Sequence, residues 1–266
     1  MSHAIEKYNR RVAQANSLLC VGLDSAIERL PARFLDEDLP QFAFNRWIIE
    51  QTHTVASAYK PNMAFYEAQG TAGLAALAAT MRYLRENHPD ILTISDAKRA
   101  DIGSTNQGYV TAIFDELGFD AVTLNPYLGR EALAPFLERA DRGCILLCRT
   151  SNPGAGELQD LDCGGRPLWQ VVAERVSTAW NEHGNCMLVA GATYPDELRQ
   201  IRALVGDMPL LIPGIGAQGG DVERTVQAGR DSAGGGMIIN SSRGIIFADD
   251  PAAAALSLRN LINQYR

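Results

Sequence analysis

The sequence predicts an α/β protein in which residues 1–266 form one domain, a (β/α)8 TIM barrel. Three observations carry that expectation. The length of 266 residues matches a barrel of this kind, which typically runs to about 250 residues as one domain. Eight short apolar runs alternate with longer amphipathic stretches from end to end. Nearly every run closes on polar or charged groups, as expected where the carboxyl ends of barrel strands build one rim. An open doubly wound sheet shares the alternation, but normally gathers its ligand at one switch point rather than at many strand ends.

The runs, in order, are LLCVGLD (18–24), SAYKPN (57–62), ILTISDAK (91–98), FDAVTLNP (119–126), GCILLCRTSN (143–152), CMLVAGAT (186–193), PLLIPGIG (209–216) and MIINSSRG (237–244). Helix-like stretches such as 71–87, 106–117, 168–183 and 196–205 lie between them, and 251–264 follows the last run. Such spacing predicts parallel pairing, because a parallel crossover needs a dozen or so residues and usually a helix. No Pro/Ser-rich linker divides the chain. The longest irregular piece, 151–166, is rich in Gly and Asp and follows the fifth run, where a substrate lid is expected.

Composition narrows the function. Apolar residues make up 46% and charged residues 21% of the chain, enough for a sizeable core. The net charge of -7 argues against a nucleic-acid partner, which needs a basic surface. Residues 1–11 lack the apolar core of a signal peptide, and no run approaches the roughly 20 apolar residues of a membrane span. The five cysteines, Cys20, Cys144, Cys148, Cys163 and Cys186, show no C-x-x-C spacing and read as reduced. A soluble, cytoplasmic protein without a membrane partner is expected.

The stretch ILTISDAKRADIGSTNQGY (91–109) poses the functional question. An apolar, β-branched run ends in Asp96, Lys98, Arg99 and Asp101, four charges in six positions. Desolvating charges is costly unless they are paired, so the placement needs a compensating arrangement. Asp96 and Lys98 stand two apart, so on a regular strand they share a face. Lys60, at the end of the preceding run, stands beside them. An array of alternating carboxylate and ammonium groups can hold every member ionised, because each charge has an opposite neighbour.

The remaining run ends are Asp24, Asn125, Ser151, Thr193, 214–218 and Arg243. PGIGAQGGD (213–221) leads into a helix and can expose backbone N–H groups to an anion. NSSRG (240–244) offers Arg243 as a bidentate phosphate partner, and phosphate sites after strands seven and eight recur in this architecture. The four histidines, His3, His53, His88 and His183, fall away from the predicted rim. No cluster has zinc spacing, and no G-x-G-x-x-G follows the first strand. Acid/base work therefore falls to Lys and Asp.

DAKRADIGST resembles the D-x-K-x-x-D signature of the orotidine 5′-monophosphate decarboxylases. CVGLD, YKPN, RTSNPG, PGIGAQGGD and the Arg closing the eighth run agree with that family along almost the whole chain. The resemblance implies a carboxy-lyase that needs no metal or cofactor and converts orotidine 5′-monophosphate (OMP) to UMP and CO2, the last step of de novo UMP biosynthesis. It implies that Lys60, Asp96 and Lys98 belong to the charged array, and that Asp101, with Thr105, reaches a neighbouring subunit's site in a homodimer. It further assigns Asp24 to a ribose hydroxyl, Ser151 to the pyrimidine edge, and Gln218 and Arg243 to the phosphate. Gly103 and Ser104 stand where Pro and Asn are commoner. With the long segment after the fifth run and NSSR before Gly244, they resemble a longer-chain branch of the family.

Loss of CO2 from C6 leaves a vinyl carbanion without an adjacent carbonyl to delocalise it, so stabilisation must be electrostatic. Lys98 is the expected proton donor. The magnesium-dependent sugar-phosphate enzymes that share D-x-K-x-x-D need a carboxylate near the metal at the end of strand two, where this chain has Lys60, and a cation there disfavours Mg²⁺. A silent binding barrel would lack a member of the Lys60, Asp96, Lys98 and Asp101 array, and all four are present.

Overall fold

Alternation along eight strands decides what fills the centre of the molecule. The computed structural model describes residues 3–215 and 221–266. Within them, β1 (Leu19–Gly22), β2 (Ala58–Lys60), β3 (Leu92–Arg99), β4 (Ala121–Leu124), β5 (Gly143–Arg149), β6 (Cys186–Ala190), β7 (Leu210–Pro213) and β8 (Met237–Ser241) each coincide with one predicted run, β3 extending one residue past the end of its run. All pair in parallel with their sequence neighbours, and β8 pairs with β1 to close the barrel.

One set of alternate residues points inward. Cys20, Ala58, Leu92, Ile94, Ala121, Ile145, Met187, Val189, Leu211 and Ile238 form a continuous buried cluster, the packed interior expected of a small barrel. The other set, including Leu19, Tyr59, Val122, Leu146, Leu188 and Ile239, packs outward against the helices. Two-sided burial is why these strands read as apolar runs rather than as alternating ones.

The helices are α1 (His3–Ala15), α2 (Pro40–Thr52), α3 (Met63–Glu67), α4 (Gly70–Asn87), α5 (Gly103–Val110) and α6 (Gly129–Leu137). They continue with α7 (Gly156–Gln159), α8 (Leu168–Arg175), α9 (Pro195–Val205), α10 (Val222–Gly229), α11 (Arg243–Ile246) and α12 (Pro251–Asn263). Local signals set several starts. Pro40, Pro195 and Pro251 occupy first-turn positions, where a missing N–H costs nothing. Asp221 and Asp250 cap α10 and α12 through the amides of Arg224 and Ala253.

Two predicted stretches differ in detail. Those at 106–117 and 168–183 are helical, but each relaxes into a π-helical turn, Thr111–Glu116 and Val176–Trp180. The segment 151–166, expected as an irregular lid, is not wholly irregular, since it contains α7. The N-terminal segment, charged and polar in sequence, folds as α1 and inserts Ala4, Ile5 and Tyr8 among the inward residues. The Tyr8 hydroxyl donates to the Met237 carbonyl. This helix closes the amino-terminal end of the barrel and leaves the carboxyl end open.

Candidate active site

The inward alternation that carries apolar residues low in the barrel carries polar ones at its top. Lys60 follows Ala58 on β2, Asp96 follows Ile94 on β3, Thr123 follows Ala121 on β4, and Asn240 follows Ile238 on β8. With the loops beyond them they line a cavity of about 510 Å³ that also receives Asp24, Lys98, Ser151 and Arg243. Six of the nine residues singled out in the sequence thus meet in one cavity.

The charged array is formed. Lys60 Nζ donates to Asp96 Oδ2 at 2.7 Å, and Lys98 Nζ donates to Asp96 Oδ1 at 2.6 Å. The side chains of Lys60 and Asp96 are 5% and 11% exposed, whereas that of Lys98 is 49% exposed, which leaves its ammonium accessible from the cavity. Burial alone pushes the Asp96 carboxyl up, but the two lysines outweigh it and hold the group well below the usual carboxylate range. Burial likewise pulls Lys60 down, and Asp96 and Asp24 reverse the effect and raise it. Cys20, beneath the array, has its thiol pushed up to about 12 by burial.

Regular strand alternation does not by itself place Lys98 beside Asp96. Lys98 lies in the left-handed region at φ 49, and the β3–β4 register shifts between Ser95 and Arg99. Such backbone is costly for a side-chain-bearing residue and persists only where surrounding contacts hold it. Arg99 turns away, pairs with Glu67 of α3 and sits over the Tyr109 ring at 5.2 Å.

Asp24 Oδ1 is buried with no hydrogen-bond partner among the described residues, so it presents an acceptor for an incoming donor. Asp101 and Thr105 lie off the cavity of their own chain. The Asp101 carboxylate accepts the Ile102 amide at 2.7 Å, and its backbone N–H donates to Asn106 Oδ1 at 2.9 Å. Gln218, with the rest of 216–220, lies outside the described residues. No group of three or more His, Cys, Asp or Glu suited to a metal ion occurs among the described residues.

Two features escaped the sequence reading. Thr123 donates to Asp96 Oδ1 at 3.1 Å and accepts the Lys98 amide at 3.0 Å. Arg149, buried at the end of β5, donates to Glu197 of α9 at 2.6 Å, to Asp160 at 3.4 Å and to Gln159 at 3.4 Å. Gln159 in turn accepts the Thr150 amide at 2.9 Å. These contacts fasten the segment that begins with Ser151 to the end of β5 and, through Arg149, to α9. An arginine inside an apolar run, without a local partner, was the available signal.

The comparisons with known proteins agree with this geometry. Residues 17–258 match the model of the family described as Orotidine 5'-phosphate decarboxylase / HUMPS. The orotidine 5'-phosphate decarboxylase of Cellvibrio japonicus is 49% identical over 271 residues, covering 98% of each chain. That of Thermomicrobium roseum is 49% identical over 264 residues, covering 98% of this chain and 92% of its own. The structure of Leishmania donovani OMP decarboxylase matches with a TM-score of 0.90 at 40% identity, covering 100% of this chain and 99% of that one. With a barrel, a charged strand end and relatives that agree along its whole length, the chain belongs to the orotidine 5'-phosphate decarboxylase / HUMPS family.

Proposed function

We propose that the cavity binds OMP and converts it to UMP and CO2 without a metal or cofactor, and that two chains share their sites as a homodimer. The observation that carries this reading is the Lys98 ammonium, anchored to Asp96 at 2.6 Å yet half exposed at the cavity. The C6–carboxylate bond breaks heterolytically, CO2 departs, and the electron pair stays on C6. Lys98 stabilises that charge as it develops and gives its proton to C6. A fixed ammonium needs little reorganisation when the charge appears. Lys60 keeps Asp96 ionised, and Asp96 keeps Lys98 in place.

The other assignments are those the family resemblance implies, and the presence of Asp24, Ser151 and Arg243 in the cavity lining supports them. Asp24, with its free buried oxygen, takes a ribose hydroxyl. Ser151 faces the pyrimidine edge from the β5 loop, and Arg243 after β8 grips the phosphate together with Gln218. Remote phosphate binding is then available to favour the transition state. Asp101 and Thr105 complete the partner's site. Exposed apolar side chains support a second copy there: Ile102 is 61% exposed, and Tyr127 and Leu128, after the neighbouring strand, are 81% and 47% exposed. The free cysteines, four of them buried, suit the reducing cytoplasm in which we place the enzyme.

Product analysis after incubation with OMP tests the reading. Wild type yields UMP, and Lys98→Ala lowers turnover by at least about a hundredfold, the contribution of a general acid, while UMP still binds. Near-normal turnover by Lys98→Ala would remove the proposed proton donor.

A further inference from the structure

Thr123 is the one residue of β4 that brings a hydroxyl to the array. It is buried, lines the cavity and touches both ends of the Asp96–Lys98 pair. Its oxygen accepts the Lys98 backbone N–H at 3.0 Å and lies 3.1 Å from Asp96 Oδ1, with the Ser95 carbonyl farther off at 3.5 Å. A hydroxyl has one proton to give, and the nearer, charged oxygen is the stronger acceptor. Asp96 Oδ1 therefore receives Thr123 and Lys98 together.

The backbone explains why such a group is needed. Where the β3–β4 register shifts, the Lys98 N–H finds its acceptor in a side chain of β4 instead of a β4 carbonyl. Without it, a part-buried amide would lose its partner in the left-handed residue that aims the ammonium.

We infer that Thr123 is a positioning residue for decarboxylation: its hydroxyl holds the Lys98 backbone and the Asp96 carboxylate in the one arrangement that presents the ammonium to C6. The inference rests on the proposed reading of Lys98 as proton donor. It assigns Thr123 no contact with substrate, so its loss acts on kcat and leaves KM nearly unchanged.

Steady-state kinetics and melting temperature of wild type, Thr123→Val, Thr123→Ser and Thr123→Cys test it. Thr123→Val keeps the shape and loses the hydroxyl. Its kcat falls by about a hundredfold, the scale expected when a reacting group is displaced by about 1 Å, with KM within about threefold. Thr123→Ser restores kcat to within about fivefold of wild type, because the hydroxyl rather than the methyl makes both bonds. Thr123→Cys, a weaker donor and acceptor, falls between them and serves if the valine variant does not fold. A folded Thr123→Val with wild-type kcat, or a serine or cysteine variant that departs from this order, overturns the inference. Absence of turnover in wild type would instead overturn the decarboxylase reading itself.

Discussion

Asp96 accepts hydrogen bonds from two ammonium groups and one hydroxyl, and its titration follows from that crowding. Its carboxyl is depressed from the ordinary value of 3.8, so its stabilising contribution is complete above that value and is lost as pH falls through the depressed one. Lys60 is raised from 10.5, so its contribution is complete below that value and lost as pH rises through the raised one. The stability difference between wild type and Asp96→Asn should therefore be flat from about pH 5 to about pH 9 and shrink below about pH 4. Denaturant melts across that range measure it, and a difference that changed near neutrality would mean the array is not ionised as described. Asp96, Lys98 and Lys60 were legible because charges closing apolar runs demand partners. Thr123 was not, because an ordinary β-former acquires a role only through a register shift between strands. The left-handed backbone of Lys98 was equally silent, since no glycine or asparagine marks it.

Elements deliver these residues, and loops beyond the strands decide the access. The Arg149 contacts with Glu197, Asp160 and Gln159 tie the β5 loop to the start of α9 and to α7. Gly191, just past β6, makes room for the same loop. A Cβ there would meet Ser151 Cβ at 2.9 Å and the Ser151 backbone nitrogen at 3.0 Å. Gly191→Ala should push Ser151 from its place and raise KM for OMP by roughly tenfold, with a smaller effect on kcat, since positioning contacts tolerate little displacement. Unchanged KM would show that Ser151 does not contribute to binding. All eight strands were legible from their apolar runs, because burial on both faces writes a continuous signal. α1 was not, because its charged surface hides the Ala4, Ile5 and Tyr8 face that plugs the barrel. The short helix within 151–166 was not legible either, since four residues carry no period.

The closed barrel gathers eight strand ends around one cavity, and its length, alternation and polar rim were enough to expect it from the sequence. Asp101 does not line the cavity of its own chain, and its backbone N–H is held by Asn106. The proposed dimer with shared sites would bring the partner's Asp101 to Lys98. Mixing Asp101→Ala and Lys98→Ala subunits should produce heterodimers with one complete site and recover activity that neither parent has. Verified heterodimers without recovery would contradict sharing. In the proposed function the whole molecule decarboxylates OMP with protein charges alone. Loss of OMP ultraviolet absorbance with purified protein in excess EDTA tests it most directly. Rapid loss with UMP formed is the expected result. No loss in EDTA, with activity appearing on keto-sugar phosphates once Mg²⁺ is added, would contradict it and move the chain to the metal-dependent branch of its family.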